Sequence, residues 1–243
     1  MEALIGKVSD EVKAYQIGLD VGKLHDPTAI AVARVVRERH RREKKDGIGV
    51  EDFYQYAFEV PFLERLPLDQ NYRAIGARVT EVCSGVIDRA DEEHRRLSKG
   101  FDAPAQHSTP VYLIMDATGV GQAVGDIISE QLPSRCFFTY ATLTSGREIT
   151  GSLYSTMSVG KFALISGLAA KLETDRIRIA KGTIDAEALQ QELRDFEATM
   201  TAHGNIQSGA RSGSHDDLVI ALGLATCVEA NIGGAVGSVQ MPW

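Results

Sequence analysis

Three acidic stations interrupt otherwise apolar stretches of this 243-residue chain. Asp20 ends Ile17-Gly18-Leu19-Asp20-Val21-Gly22, and Asp116 ends Leu113-Ile114-Met115-Asp116-Ala117-Thr118-Gly119. Asp216 and Asp217 open the third, Ser214-His215-Asp216-Asp217-Leu218. A carboxylate placed among apolar residues is costly unless something compensates its charge. Carboxylates at two strand ends and one helix start therefore call for a shared cation, and strand ends are where open α/β sheets bind ligands. Oxygen-only donors favour a hard ion, Mg2+ or Mn2+, over zinc. Two such ions ~4 Å apart would clamp the attacking and leaving oxygens of a phosphodiester.

Each station also has a local reading. Asp20 and Asp116 both precede glycine-bearing turns that a carboxylate can shape. Ser214-x-x-Asp217 is a capping-box pattern, so one aspartate can cap the helix while the other coordinates. A basic segment, Arg34 to Lys45, holds seven Lys/Arg (Arg34, Arg37, Arg39, Arg41, Arg42, Lys44, Lys45) against two Glu. It reads either as a solvated hairpin or as an edge that contacts phosphates, with salt-dependent binding. Arg147 lies in a Thr/Ser/Gly-rich stretch, residues 141–158, that is long for a plain connection. Lys161 follows just beyond, placed to neutralise phosphate charge.

The elements that must carry these residues begin as strands. Tyr15–Asp20 alternates, Thr28–Val36 is β-branched and apolar, and Phe53–Val60 is aromatic-rich, which predicts an antiparallel meander. Asn71–Leu97 reads as a long helix. Val111–Met115, wholly apolar, reads as a central strand buried on both faces. A helix at Gln122–Gln131 and a strand at Cys136–Ala141 follow. Val159 to Leu172 and Ala186 to Met200 show helical spacing, with a short strand at Arg176–Ala180 between them. Leu218–Val228 has no charged residue and reads as a helix buried on every side. The expected fold is a three-layer α/β domain over residues 14–230. Its mixed sheet has about five strands, antiparallel first and parallel later. Residues 1–13 are read as an extension and 231–243 as a tail.

Taken in order, these motifs resemble the nuclease domain of phage terminase large subunits. Gly18 to Gly22 with Asp26-Pro27-Thr28-Ala29-Ile30 is similar to its opening motif, Asp116 to Gly121 to its second, and His215 to Ala221 to its third. The resemblance covers roughly residues 15–230. It implies an RNase H-like fold related to Holliday-junction resolvases, and two-metal cleavage of double-stranded DNA, with little sequence specificity, during genome packaging. By motif position it makes Asp20, Asp116 and one of Asp216 and Asp217 the ligands of Mg2+ or Mn2+. It favours Asp217, because resolvase relatives carry their last acid at the start of the apolar helix. Asp26 is then auxiliary, as is Lys161, and His215 orients water or a ligand. The implied partners are double-stranded DNA and, in a packaging assembly, an ATPase motor domain, a small terminase subunit and a portal.

An ATPase domain should be announced by GxxxxGK[ST]. The nearest approach, Ser155 to Phe162, has Gly160-Lys161 but lacks the first Gly and the Ser/Thr, so no ATPase is expected in this chain. No run is long and apolar enough for a membrane span. Three dispersed cysteines (Cys83, Cys136, Cys227) argue against a disulfide framework and for a reducing, cytoplasmic setting. The net charge of −7 excludes a uniformly basic DNA clamp, but not a DNA-cutting enzyme whose acids hold metal. Three other readings compete. An actin-like or sugar-kinase-type phosphotransferase would use Asp20-x-Gly22 and Asp116-x-x-Gly119 as phosphate turns. It needs two such domains and leaves His215-Asp216-Asp217 without a task. A dinucleotide-binding turn at Gly119-x-Gly121 lacks its opening βαβ unit. A pure DNA-binding module leaves three buried acids unexplained.

Overall fold

The computed structural model describes residues 4–22, 26–44, 48–97, 109–119, 122–203 and 215–229. Strands β1 (Leu4–Asp20), β2 (Ala29–Glu43) and β3 (Val50–Arg65) form the antiparallel meander. Helix α1 (Tyr72–Leu97) leads to β4 (Val111–Asp116), α2 (Gln122–Ser129) and β5 (Cys136–Thr144). Short strands β6 (Ile149–Gly151) and β7 (Thr156–Gly160) precede α3 (Lys161–Glu173), β8 (Ile177–Ile179), α4 (Ala186–His203) and α5 (Asp217–Thr226). Among the described residues the strands make one sheet in the order β6-β7-β5-β4-β1-β2-β3-β8. Strands β1, β4, β5 and β7 run parallel to one another, and β8 joins β3 in parallel at the far edge. The antiparallel-then-parallel arrangement matches the expectation.

The sheet is wider and its first strands longer than the sequence pattern suggests. Residues 141–158, read as a loop, finish β5 and supply β6 and most of β7. Residues 4–13, read as an extension, continue β1 and pair with the far half of β2. Of the basic segment, Arg34 to Glu43 are part of β2, which pairs with β3 as one arm of a hairpin. Its charges are stabilised in extended form by acids across the strands: Arg37 with Glu11 (2.6 Å), Arg39 and Arg41 with Asp52, and Arg42 with Glu51 (2.7 Å). Arg34 faces α1 instead, held by Glu93 and by Glu59 at 2.7 Å. Farther along, the fully buried Glu38 receives two bonds from Arg178 of β8, 2.6 and 3.1 Å, which hold its carboxyl down at about 2.

Alternation along the strands divides the core into two layers. Ile17, Leu19, Ile30, Leu113 and Met115 face α1 and α2 together with Val79 and Ile128. Ala14, Ala29, Ala31, Ala33, Tyr112 and Ile114 face α3, α4 and α5. The run of alanines on that second face, with Gly18 between them, leaves room for a helix to approach the sheet closely. All ten residues of α5 are buried there, as its charge-free sequence predicts. Each of Leu218, Val219, Ile220, Leu222 and Leu224 contributes about 1.5–3 kcal/mol by leaving water. The cysteines are free, Cys83 and Cys136 being buried. Among the described residues no helix is long and apolar enough to cross a membrane.

Candidate metal centre

Strand register brings the first two stations together. Leu19 of β1 pairs with Met115 of β4, so the next position in that parallel register sets Asp20 beside Asp116. Adjacent strands lie about 4.8 Å apart, and residues in parallel register point to the same face. Here that face is the one with Gln16 and Gly18 on β1 and Tyr112 and Ile114 on β4, the face covered by α5.

Helix α5 runs antiparallel to β1, and three contacts fix its phase. Gln16 Nε2 donates to Val228 O (2.9 Å) at the far end of the helix. A Cβ on Gly18 would meet Ala221 O at 1.9 Å and Ala225 N at 2.7 Å, so backbone lies on backbone midway. Two residues farther along β1 is Asp20, about 6.6 Å on. One turn back from Ala221 is Asp217, about 6 Å in the same direction. The third station is thereby carried to the first.

The electrostatics record this convergence. Burial and the carboxylates of Asp116, Asp217 and Asp216 push the Asp20 carboxyl well above its ordinary range, with Lys161 opposing. Asp217 is raised to about 6, chiefly by burial, with Asp216 and Asp26 adding to the rise and His215 and Arg65 opposing it. Lys161, the first residue of α3, pairs with Asp216 at 3.0 Å. His215 is exposed, with Nδ1 3.5 Å from Asp217 Oδ2. Arg147 stacks its guanidinium 5.0 Å over the ring of Phe162, next to Lys161. Asp20, Asp116, Asp216, Asp217, His215, Asp26 and Lys161 thus gather at one end of the sheet, with Arg147 close by. Arg34, Arg37, Arg39, Arg41, Arg42 and the exposed Lys44 lie along β2 and just beyond it, mostly in cross-strand ion pairs, and Lys45 falls outside the described residues.

The local readings of the acids resolve unevenly. Asp116 does shape its turn: Oδ1 accepts Thr118 N at 2.8 Å, and Thr118 Oγ1 accepts Leu143 N at 2.7 Å. The turn after Asp20 is closed by Thr28, whose Oγ1 accepts Gly22 N at 3.1 Å. At the third station Asp216 holds the N-cap position but makes no side-chain cap bond. The cap comes from Glu192 of α4, whose Oε2 accepts Leu218 N (3.0 Å) and Val219 N (3.1 Å). Neither aspartate is spent on capping. Sequence reasoning passes over Glu192, although it carries a signal: it lies three residues after Leu189 and four before Phe196, inside the apolar stripe of α4.

Asp217 Oδ2 is buried and, among the described residues, accepts no hydrogen bond, His215 Nδ1 lying 3.5 Å away. An orphaned carboxylate oxygen beside other repelling carboxylates is a donor set suited to a hard divalent cation. Among the described residues, no three His, Cys, Asp or Glu side chains are gathered tightly enough to hold a metal ion as they stand.

The family model of the terminase RNaseH-like domain matches residues 93–229, which include Asp116, Lys161, His215, Asp216 and Asp217. The chain belongs to this terminase family. Its mixed sheet between two helical layers is the RNase H-like fold anticipated from the sequence. No curated protein matches the chain. Among solved structures, the large terminase nuclease from thermophilic phage G20c is similar at 21% identity and a TM-score of 0.44, covering 88% of this chain and 84% of that one. The human cytomegalovirus terminase nuclease domain is similar at 14% identity and a TM-score of 0.48, covering 89% and 83%. A manganese-soaked, inhibitor-bound form of the same domain gives 13% identity and 0.44, covering 87% and 82%.

Proposed function

We propose that this terminase family member is a metal-dependent endonuclease that cleaves double-stranded DNA with little sequence specificity, as the nuclease part of a DNA-packaging terminase. The observation that carries the reading is the buried Asp217 carboxylate, with Oδ2 free of hydrogen bonds among the described residues, set toward Asp20 and Asp116 by the packing of α5 on β1. Negative charge concentrated this way is unfavourable until a cation balances it. Asp20, Asp116 and Asp217 are the proposed ligands of Mg2+ or Mn2+, two ions being expected. Bound ions would supply an activated water and stabilise charge on the attacked phosphate and the leaving 3′ oxygen.

The protein's own groups set the rest. Asp216 holds Lys161 by its ion pair, keeping an ammonium at the rim where a DNA phosphate would approach. Arg147, exposed beside Phe162, offers a second cation there. His215 stands outside Asp217, placed to orient water. The hairpin arginines contribute phosphate contacts only by exchanging their present acidic partners, so the rim cations carry more of the binding. An ATPase motor domain, a small subunit and a portal are the partners such a nuclease would serve.

The test is incubation of supercoiled plasmid with Mg2+ or Mn2+, against EDTA controls. Cleavage is expected with either ion and is expected to vanish in Asp20→Ala, Asp116→Ala and Asp217→Ala. Undiminished cutting by the Asp20→Ala protein would overturn the site, and nucleotide hydrolysis without DNA cleavage would favour the phosphotransferase reading.

A further inference from the structure

Glu192 is a buried acid that the proposed chemistry does not use directly. It is 5% exposed, and its two oxygens do different work. Oε2 accepts two of the free N–H groups in the first turn of α5, from Leu218 and Val219, while Oε1 is ion-paired with the Arg65 guanidinium. Arg65 is the last residue of β3, and its own N–H donates to Asp185 Oδ2 (2.7 Å) just before α4. Arg65 pairs in register with Ala29, and Ala29 with Asp20. One row across the sheet therefore reads Asp116, Asp20, Ala29, Arg65. The Arg65–Glu192 pair ties the N-terminus of α5 to that same row.

A helix end needs no such apparatus for stability alone. Asp216 already occupies the N-cap position, where a short acid can bond the free N–H groups at little cost. Here that task passes to a glutamate 25 residues upstream of Asp217, held by a half-buried arginine whose buried Nε makes no hydrogen bond among the described residues. The result spares both aspartates the capping task and fixes the backbone immediately after Asp217 to the sheet.

Resting on the nuclease reading, we infer that Arg65 and Glu192 are positioning residues that set the distance of the Asp217 carboxylate from Asp20 and Asp116, and so the affinity for the divalent ion. Removing a partner that orients a metal ligand typically changes metal affinity by roughly 10–100-fold.

The test measures Mn2+ binding to the full chain by calorimetry, without DNA, beside plasmid cleavage kinetics and thermal unfolding. Glu192→Ala and Arg65→Met are each expected to weaken Mn2+ binding by about tenfold or more. They should lower kcat while leaving KM for DNA within about twofold, because the pair's hydrogen bonds among the described residues run to Asp185, Leu218 and Val219 and not to the rim cations. Glu192→Gln keeps an oxygen for the two N–H groups but loses the charge that Arg65 needs. It should bind Mn2+ with an affinity between wild type and Glu192→Ala, and it serves as the test if Glu192→Ala does not fold. Variants with a lowered Tm but wild-type Mn2+ affinity would show a structural cap only and overturn the inference. Asp217→Asn separates the two readings. If it abolishes Mn2+ binding while the Glu192 and Arg65 variants bind normally, this inference alone fails. If wild-type protein binds no Mn2+, both fail.

Discussion

A methyl group at Gly18 would lie 1.9 Å from the carbonyl oxygen of Ala221, so strand β1 and helix α5 touch backbone to backbone. The contact is at once a packing feature and the ruler that places Asp217 opposite Asp20. Gly18→Ala must push α5 off the sheet. Overpacking of this kind costs about 1–3 kcal/mol or more. Urea unfolding should show that loss, and the residual folded protein should cut DNA poorly, because the displaced helix carries the third acid. A variant as stable and active as wild type would contradict the contact.

The raised carboxyl of Asp217 gives a pH signature whose sign can be worked out. Its folded value of about 6 lies above the ordinary 3.8, so in that window the folded state holds a proton the unfolded state has lost. Its effect on metal-free stability is therefore most favourable in acid and is progressively lost as pH rises through about 6. Asn mimics the protonated acid. In EDTA, the stability of Asp217→Asn relative to wild type should rise as pH increases from 3.8 to about 6 and level off above that. A difference that does not change with pH would refute the assignment. Mn2+ affinity of the wild type should rise over the same range, because binding must displace the proton.

Salt dependence distinguishes rim from hairpin. Removing one cation that pairs with a DNA phosphate lowers the slope of log K against log salt by about 0.9. Arg147→Ala is expected to approach that decrement, measured with catalytically inert Asp20→Asn protein to prevent cutting. Arg39→Ala and Arg41→Ala, which leave Asp52 behind, should change the slope by much less. Equal slopes for Arg147→Ala and its parent would remove Arg147 from the interface.

The parts of the fold that are readable in the sequence are those governed by local patterning. Val111–Met115 has no charged residue and is a central strand; Leu218–Val228 has no charge and contains most of the buried helix. Asp20 and Asp116 stand out because each breaks an apolar run at its end. The second half of β2 escapes such reading because its residues are mostly charged, and only the acids of β1 and β3 make an extended strand of it. Such pairing couples residues as distant in sequence as Arg37 and Glu11. The capping of α5 is hidden for the same reason: Ser214 to Asp217 supplies a plausible local cap, whereas the real one comes from Glu192 on another helix.

Strand β1 departs from regular pairing with β2 at Leu4/Gly6, at Lys7/Ser9 and at Val12/Ala14, and runs without interruption from Ala14 to Asp20. Every irregularity lies upstream of the stretch that ends in the acid. A bulge absorbs an extra residue by bending the strand locally, whereas a one-residue slip inverts every side chain beyond it. Insertions and deletions should therefore be survivable before position 13. Between 14 and 20, a single added residue would turn the first carboxylate toward α1 and away from its companions, leaving the sheet intact and the active end blank.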